Sequence, residues 1–181
     1  MPVKRHVIEQ CEGLAPAVAH YFGGMEEVRA QLREAVEGLP EDLLVCRSVA
    51  GCHSIGALLL HIGEAEWYWM NCVVEGREIT DEDRAAVFWD ALEKEQASSE
   101  TVHTGMTVRQ CLDIIDEQRE RTRRTLADFG DEDLERIFIR DRRDGPHEFS
   151  LRWLLHHLID HEAQHKGQIL MLKRLLANRE S

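Results

Sequence analysis

Two histidines near the C-terminal end of the chain lie at a spacing that suits metal binding. His161 and His165 are four residues apart, which is about one turn of a helix. On a helical wheel both fall inside the apolar stripe of Leu154, Leu158 and Ile169. Two neutral imidazoles are costly to bury without partners, and such a pair can direct both rings at one ion. The pair therefore favours a metal site over hydrogen-bonded core histidines.

His61 is the candidate for a third ligand. It belongs to another predicted helix, where it shares the inward side with Leu58 and Ala65. Three imidazoles from two helices suit a first-row divalent ion such as zinc, nickel or iron. A set of three also leaves positions open for water or substrate, which is typical of a catalytic site. We therefore predict that His61, His161 and His165 bind one divalent metal ion.

The same segment contains a metalloprotease-like pattern. His161-Glu162-x-x-His165 matches HExxH, in which the glutamate acts as a general base. The extended form of the pattern fails, because Gln168 and Met171 stand where it needs a glycine and a third histidine. A protease is therefore disfavoured. Glu162 stays a candidate catalytic residue that assists an attacking water, and an ordinary surface glutamate is the alternative.

Tyr68 is a second candidate catalytic residue. It follows His61 by seven residues, about two helical turns, and so could reach the same site. Cys72 is predicted to lie on the same side of this helix as a small core residue. The chain has five cysteines, an odd number with irregular spacing, which favours free thiols in a reducing compartment. A cytoplasmic location follows as the prediction.

Length and charge narrow the class of protein. The 181 residues predict one domain over residues 1–181, and no apolar run is long enough for a membrane span or a secretory signal. The 22 basic and 34 acidic residues give a net charge of −12. This charge argues against nucleic acid or a membrane surface as partner and favours a cationic or neutral small-molecule substrate. The basic run at 119–124 is predicted to be a solvated helix face.

The predicted elements are mostly helical. Four long amphipathic segments favour an all-α fold, an antiparallel four-helix bundle. They cover about 25–37 with a possible start near Pro16, Ser54 to about Val74, Thr107 to Gly130, and Ser150 to about Asn178. Residues 77–104 are predicted to hold a short helix around 85–95. Residues 134–149 are predicted to form a small hairpin with a turn at Asp144-Gly145.

Two stretches of the sequence resemble a known family. Residues 51–62, GCHSIGALLLHI, followed by Glu66-Trp67 and Gly76, resemble the second-helix signature of the DinB/YfiT-like superfamily. Residues 151–169, LRWLLHHLIDHEAQHKGQI, resemble its fourth-helix signature, HxxxHxGQ. The resemblance implies a four-helix bundle, often a dimer, with one divalent metal ion held by three histidines. These carry over as His61, His161 and His165.

Relatives in that family include enzymes that transfer low-molecular-weight thiols. The resemblance therefore favours a metal-dependent thiol S-transferase that acts on small electrophiles, with a low-molecular-weight thiol as co-substrate, as a cytoplasmic homodimer. Two alternatives stay open. One is a metal-dependent hydrolase in which Glu162 assists water, and the other is a non-catalytic, stress-related metal-binding protein.

Overall fold

A computed structural model describes residues 3, 5–47, 52–97, 105–142 and 144–177. The fold is mostly helical with one small sheet, as the sequence predicts. In chain order the elements are α1 (Pro16–Val36), α2 (Glu41–Val45), α3 (Ile55–Trp67), a π-helical segment (Tyr68–Val74), α4 (Asp81–Ala86), α5 (Ala91–Ala97), α6 (Val108–Leu126), a 3-10 turn (Asp131–Glu135), β1 (Ile137–Arg142), β2 (Gly145–Ser150) and α7 (Leu151–Ala177).

Helix starts follow the capping residues of the sequence. Ser54 precedes α3, and its side chain accepts a hydrogen bond from the backbone N–H of Ala57. Thr107 and Gln110 form a capping box at the start of α6. Such caps satisfy backbone donors that the first helical turn leaves without partners. The predicted starts of these two helices are confirmed.

The earlier of the two possible starts of α1 is the correct one. The helix begins at Pro16 and runs through Gly23 and Gly24. A Cβ atom on Gly23 would lie 2.2 Å from the carbonyl oxygen of Glu9, and one on Gly24 would lie 3.0 Å from Ile159 Cδ1. The glycines therefore let neighbouring segments approach the helix closely instead of ending it.

The four long helices, α1, α3, α6 and α7, connect two hydrophobic clusters. Helix α1 contributes Met25 to the first cluster and then Leu32 to the second, and α7 follows the same order. Helix α6, and α3 together with the π-helical segment that follows it, meet the second cluster before the first. Because α1 packs on α7 and α3 packs on α6, these two pairs run in the same direction. The prediction that neighbouring helices are antiparallel is wrong for both pairs, and the long 75–107 connection is what a parallel α3–α6 pair requires.

The second predicted helix is not regular to its end. At Tyr68 the α-helix gives way to a π-helical segment that continues to Val74. A π-helix bonds i to i+5, so the 100° wheel does not describe side-chain directions beyond Trp67. Tyr68 and Cys72 therefore do not lie at the angles to His61 that a regular α-helix would give them.

The two long connections differ in detail from the prediction. The single helix expected around 85–95 is two short helices, α4 and α5, because Phe88 and Asp90 adopt positive φ angles of 54° and 58° between them. The predicted hairpin is present as β1 and β2. Arg142 pairs with Gly145, so Gly145 belongs to β2 and not to the turn that the sequence predicts at Asp144-Gly145. Residue 143 lies outside the described residues.

Within the described ranges, no helix combines the length and the apolar character that a membrane span requires. The single domain over 1–181, the cytoplasmic location and the homodimer stay predictions.

Candidate metal centre

The structure brings the three predicted histidines together. Their ligand nitrogens all lie within 4.8 Å of one another. The ring centroid of His61 lies 5.1 Å from that of His161 and 5.1 Å from that of His165. The ring centroids of His161 and His165 are 4.4 Å apart. All three side chains are only partly buried. In the part of the chain that the structure describes, this is the one group of three or more metal-ligating side chains with such spacing.

Two of the rings are oriented by an acceptor on the nitrogen that faces away from the cluster. Nδ1 of His61 lies 3.1 Å from Oε2 of Glu64, and Nδ1 of His165 lies 2.8 Å from Oε1 of Gln168. Carboxylate and carbonyl oxygens accept, so each Nδ1 carries the proton and donates. The Nε2 atoms of both rings then keep their lone pairs, which is the form that binds a metal ion.

The spacing of the Nε2 atoms fits a divalent ion. Nε2 of His161 and Nε2 of His165 are 3.2 Å apart. Ligand atoms on tetrahedral zinc–nitrogen bonds of ~2.0–2.1 Å lie about 3.3 Å from each other. Three neutral nitrogen donors and one free position are also the donor set of catalytic zinc sites. The residues present therefore fit the ion that the sequence predicts.

The site favours neutral imidazoles. Burial lowers the pKa of His161 to about 3, with smaller contributions from the neighbouring histidines His165, His61 and His157. Burial also lowers the pKa of His165. Metal ions compete with protons for the same lone pairs, so these shifts keep the ligand atoms available well below neutral pH.

A buried cluster of four charged residues lies between the two hydrophobic clusters, and we call it the ionic layer. It takes one residue from each long helix: Arg29 of α1, Glu66 of α3, Arg119 of α6 and Glu162 of α7. Arg29 donates from Nε to Glu162 at 2.6 Å and from a terminal nitrogen to Glu66 at 3.2 Å. Arg119 donates to Glu66 at 2.8 Å and to Glu162 at 2.7 Å. Two cations thus neutralise two carboxylates.

Glu66 and Arg119 are held in the ionised state by their neighbours in the ionic layer. Burial alone would raise the pKa of Glu66, but the positive charges of Arg119 and Arg29 outweigh burial and lower it. Burial would likewise lower the pKa of Arg119, and the carboxylates of Glu66 and Glu162 raise it instead. A buried pair with full hydrogen bonding avoids the free-energy penalty of an isolated buried charge.

The two predicted catalytic residues lie in different surroundings. Glu162 is 2% exposed, so it is not a surface residue, and both its carboxylate oxygens accept from arginines of the ionic layer. Tyr68 packs against Trp89, with ring centroids 5.8 Å apart, and the Arg140 guanidinium lies 4.9 Å from its ring. Burial raises the pKa of Tyr68. The catalytic role stays a prediction for both residues.

Sequence reasoning missed the arginines of the ionic layer. Arg119 was expected on a solvated face, yet it is 5% exposed. The helical spacing contains the signal, since Ile115, Arg119 and Thr122 follow one another at intervals of four and three. Arg29 occupies the equivalent gap between Met25 and Leu32. An arginine inside an apolar stripe predicts a buried carboxylate partner on a facing helix.

Comparison with known proteins assigns this chain to a protein family. No curated protein matches the chain at a significant level. The family model of the DinB superfamily matches residues 25–169, a range that contains all three histidines and all four members of the ionic layer. The family signature and the histidine cluster thus coincide in one stretch of sequence, and the chain belongs to the DinB superfamily.

Proposed function

We propose that this protein binds one divalent metal ion, zinc, nickel or iron, through His61, His161 and His165, and uses it to transfer a low-molecular-weight thiol to a small electrophile. One observation carries the proposal: three imidazoles from two helices bring their ligand nitrogens within 4.8 Å of one another, and two of the rings are oriented by acceptors at Nδ1. Three protein ligands leave at least one position for a substrate, which a purely structural site does not need.

The chain's own residues would hold the reaction centre. His61, His161 and His165 act as ligands and not as bases, because lone pairs used for coordination cannot accept a proton. A divalent ion bound there supplies Lewis acidity, which lowers the pKa of a coordinated thiol toward neutral pH. Glu64 and Gln168 accept hydrogen bonds from two of the rings, which orients these rings for coordination.

The proposed transfer balances without a redox partner. The S–H bond of the thiol breaks and its proton passes to solvent. The sulfur electron pair forms a new S–C bond with the electrophilic carbon, and the leaving group departs with its bonding pair. The co-reactants are a thiol and an electrophile of the alkylating type.

Metal content of untagged protein tests the first part of the proposal. About one equivalent of a divalent metal ion is expected by mass spectrometry, and His161→Ala/His165→Ala should remove it. His156→Ala is the matched control, because His156 is exposed on the same helix and should leave the metal content unchanged. Absence of metal, with none taken up on titration, would overturn the proposal.

Thiol conjugation tests the second part. The metal-loaded protein is screened with a panel of low-molecular-weight thiols against an alkylating electrophile such as a chlorodinitrobenzene. Activity should be lost in His61→Ala while its circular dichroism spectrum is retained. Conjugation that survives this substitution would contradict the transferase. Ester hydrolysis without conjugation would assign the hydrolase instead.

A further inference from the structure

A row of aromatic rings leads away from the histidine cluster along α7. His157 lies 5.8 Å from His161 between ring centroids, and it stacks on Trp153 at 4.8 Å with an interplanar angle of 8°. Trp69 lies 5.3 Å from His157 and 5.1 Å from Phe149 of the hairpin. The rings form a continuous apolar wall between the candidate metal centre and the β-hairpin. Trp153 is 42% exposed, so the wall is open to solvent on one side.

Two arginines of the hairpin stand at the far end of this wall. Phe138, Arg140 and Arg142 alternate along β1, so they share one face of the strand, and Phe138 is buried. The Arg142 guanidinium lies 5.7 Å from the Trp69 ring and 5.2 Å from the Phe149 ring. Its charge also contributes to the low pKa of His157, which burial causes in the first place. The hairpin therefore presents positive charge toward the aromatic wall.

Each guanidinium has five N–H donors, and Arg140 uses part of this capacity in a side-chain hydrogen bond with Tyr68. Several arginines on the helices are paired with carboxylates, as in Arg121 with Glu117 and Arg152 with Glu135. Among the described carboxylates none forms an ion pair with Arg140 or Arg142. Asp141 and Asp144 border the same surface depression, but the Asp144 carboxylate is engaged by His147 at 3.0 Å. Guanidinium forks without a carboxylate are suited to bind one from a ligand.

We propose that Arg140 and Arg142 bind the anionic group, carboxylate or phosphate, of a small substrate whose apolar part lies along the wall of Trp69, Trp153 and His157. This inference deepens the proposed function, because it gives the substrate class of that same centre. Arg142 connects to His161 through a guanidinium-to-ring contact of 5.7 Å with Trp69 and ring-to-ring contacts of 5.3 Å and 5.8 Å, so the apolar part of a substrate can extend along the wall toward the metal centre. The local charge thus reverses the preference for cationic or neutral substrates that the net charge of −12 predicts.

Binding of simple aromatic probes to the metal-free protein tests the inference. Benzoate, phenyl phosphate and neutral benzamide are titrated while tryptophan fluorescence and calorimetric heat are recorded. At least one of the two anions should bind roughly tenfold more tightly than benzamide, and this advantage should shrink as salt is added. The tighter anion identifies the group. Equal affinity of benzamide and both anions would overturn the inference.

Variants separate a binding role from a structural one. Arg140→Gln/Arg142→Gln should lose the preference for the anion and keep the affinity for benzamide. Arg140→Lys/Arg142→Lys retains charge and should recover part of the preference, which a folding defect would not produce. Arg174→Gln, an exposed arginine near the end of α7, is the matched control and should change nothing. An unchanged anion preference in the double Gln variant would overturn the inference. Because no metal is present, this result is independent of failure at the metal centre.

Discussion

Arg119 and Glu66 meet through two hydrogen bonds inside the protein, one from Nε at 2.8 Å and one from a terminal nitrogen at 3.2 Å. Both side chains are at most 6% exposed. Arg119→Met would leave Glu66 and Glu162 with Arg29 as their one partner in the ionic layer. We expect the free energy of unfolding to fall by about 3–5 kcal/mol, because a buried carboxylate loses its counter-charge. Urea denaturation measures the change.

Arg123→Met is the control for this prediction. Arg123 lies on the same helix and pairs with Glu120 at the surface, where solvent screens the interaction. Its removal should leave the urea midpoint unchanged. Similar midpoints for the two variants would contradict a special role of the ionic layer.

Stability of the metal-free protein should fall as the pH is lowered. Burial holds the pKa of His161 at about 3 in the folded state, below the ordinary value of 6.5. The unfolded chain therefore takes up a proton that the folded chain does not, over the window from about 6.5 down to about 3. The free energy of unfolding decreases through that window. Denaturation curves at several pH values measure the slope.

His161→Gln removes this titration, so its stability should depend less steeply on pH than that of the parent protein. His156→Gln, exposed on the same helix, should keep the parental slope. The prediction fails if the His161 variant and the parent lose stability in parallel as the pH falls.

Glu64 is expected to tune metal affinity without touching the ion. Its Oε2 accepts from Nδ1 of His61, and its Oε1 accepts from the backbone N–H of Asp90 at 2.8 Å. Glu64→Ala frees the ring, and loss of such a partner costs on the order of 10–100-fold in metal affinity. Competition with a zinc chelator measures the change. Glu34→Ala, an exposed glutamate of α1, should bind zinc as the parent does.

Glu162→Gln distinguishes the two enzymatic hypotheses. Both oxygens of Glu162 are taken up by Arg29 and Arg119, so we expect lower stability, unchanged zinc stoichiometry and thiol transfer within a few-fold of the parent. A general base would instead lose at least 10²-fold in rate. Rates compared at equal folded fraction decide between them, and a loss of that size would favour the hydrolase.

The histidine cluster could be predicted because all three histidines lie on regular α-helical stretches. His161 and His165 lie on an unbroken stretch of α7, and His61 precedes the point where α3 becomes π-helical. Tyr68 begins the π-helical segment, so a helical wheel of constant pitch does not predict which residues its side chain contacts. Because π-helical segments inside α-helices are rare, the periodicity of the sequence does not predict one here.

The partners of the buried arginines are the second feature that the sequence does not predict. The hydrophobic pattern predicts the buried faces of α1 and α6 and places Arg29 and Arg119 on them, but it does not identify the groups that neutralise their charges. Their burial depends on carboxylates that other helices supply, which is a pairwise property of the fold. The direction of α6 relative to α3 likewise depends on the long connection and not on the periodicity of either helix.

The ionic layer has a consequence for how the metal centre is assembled. Glu162 directly follows His161, and Glu66 follows His61 by five residues, so the same salt bridges that join α3 to α7 also fix the distance between the ligands. The ion pairs thus hold the three histidines close together without a metal ion. A zinc finger folds only around its ion, whereas we expect this chain to stay folded whether or not a metal ion is bound.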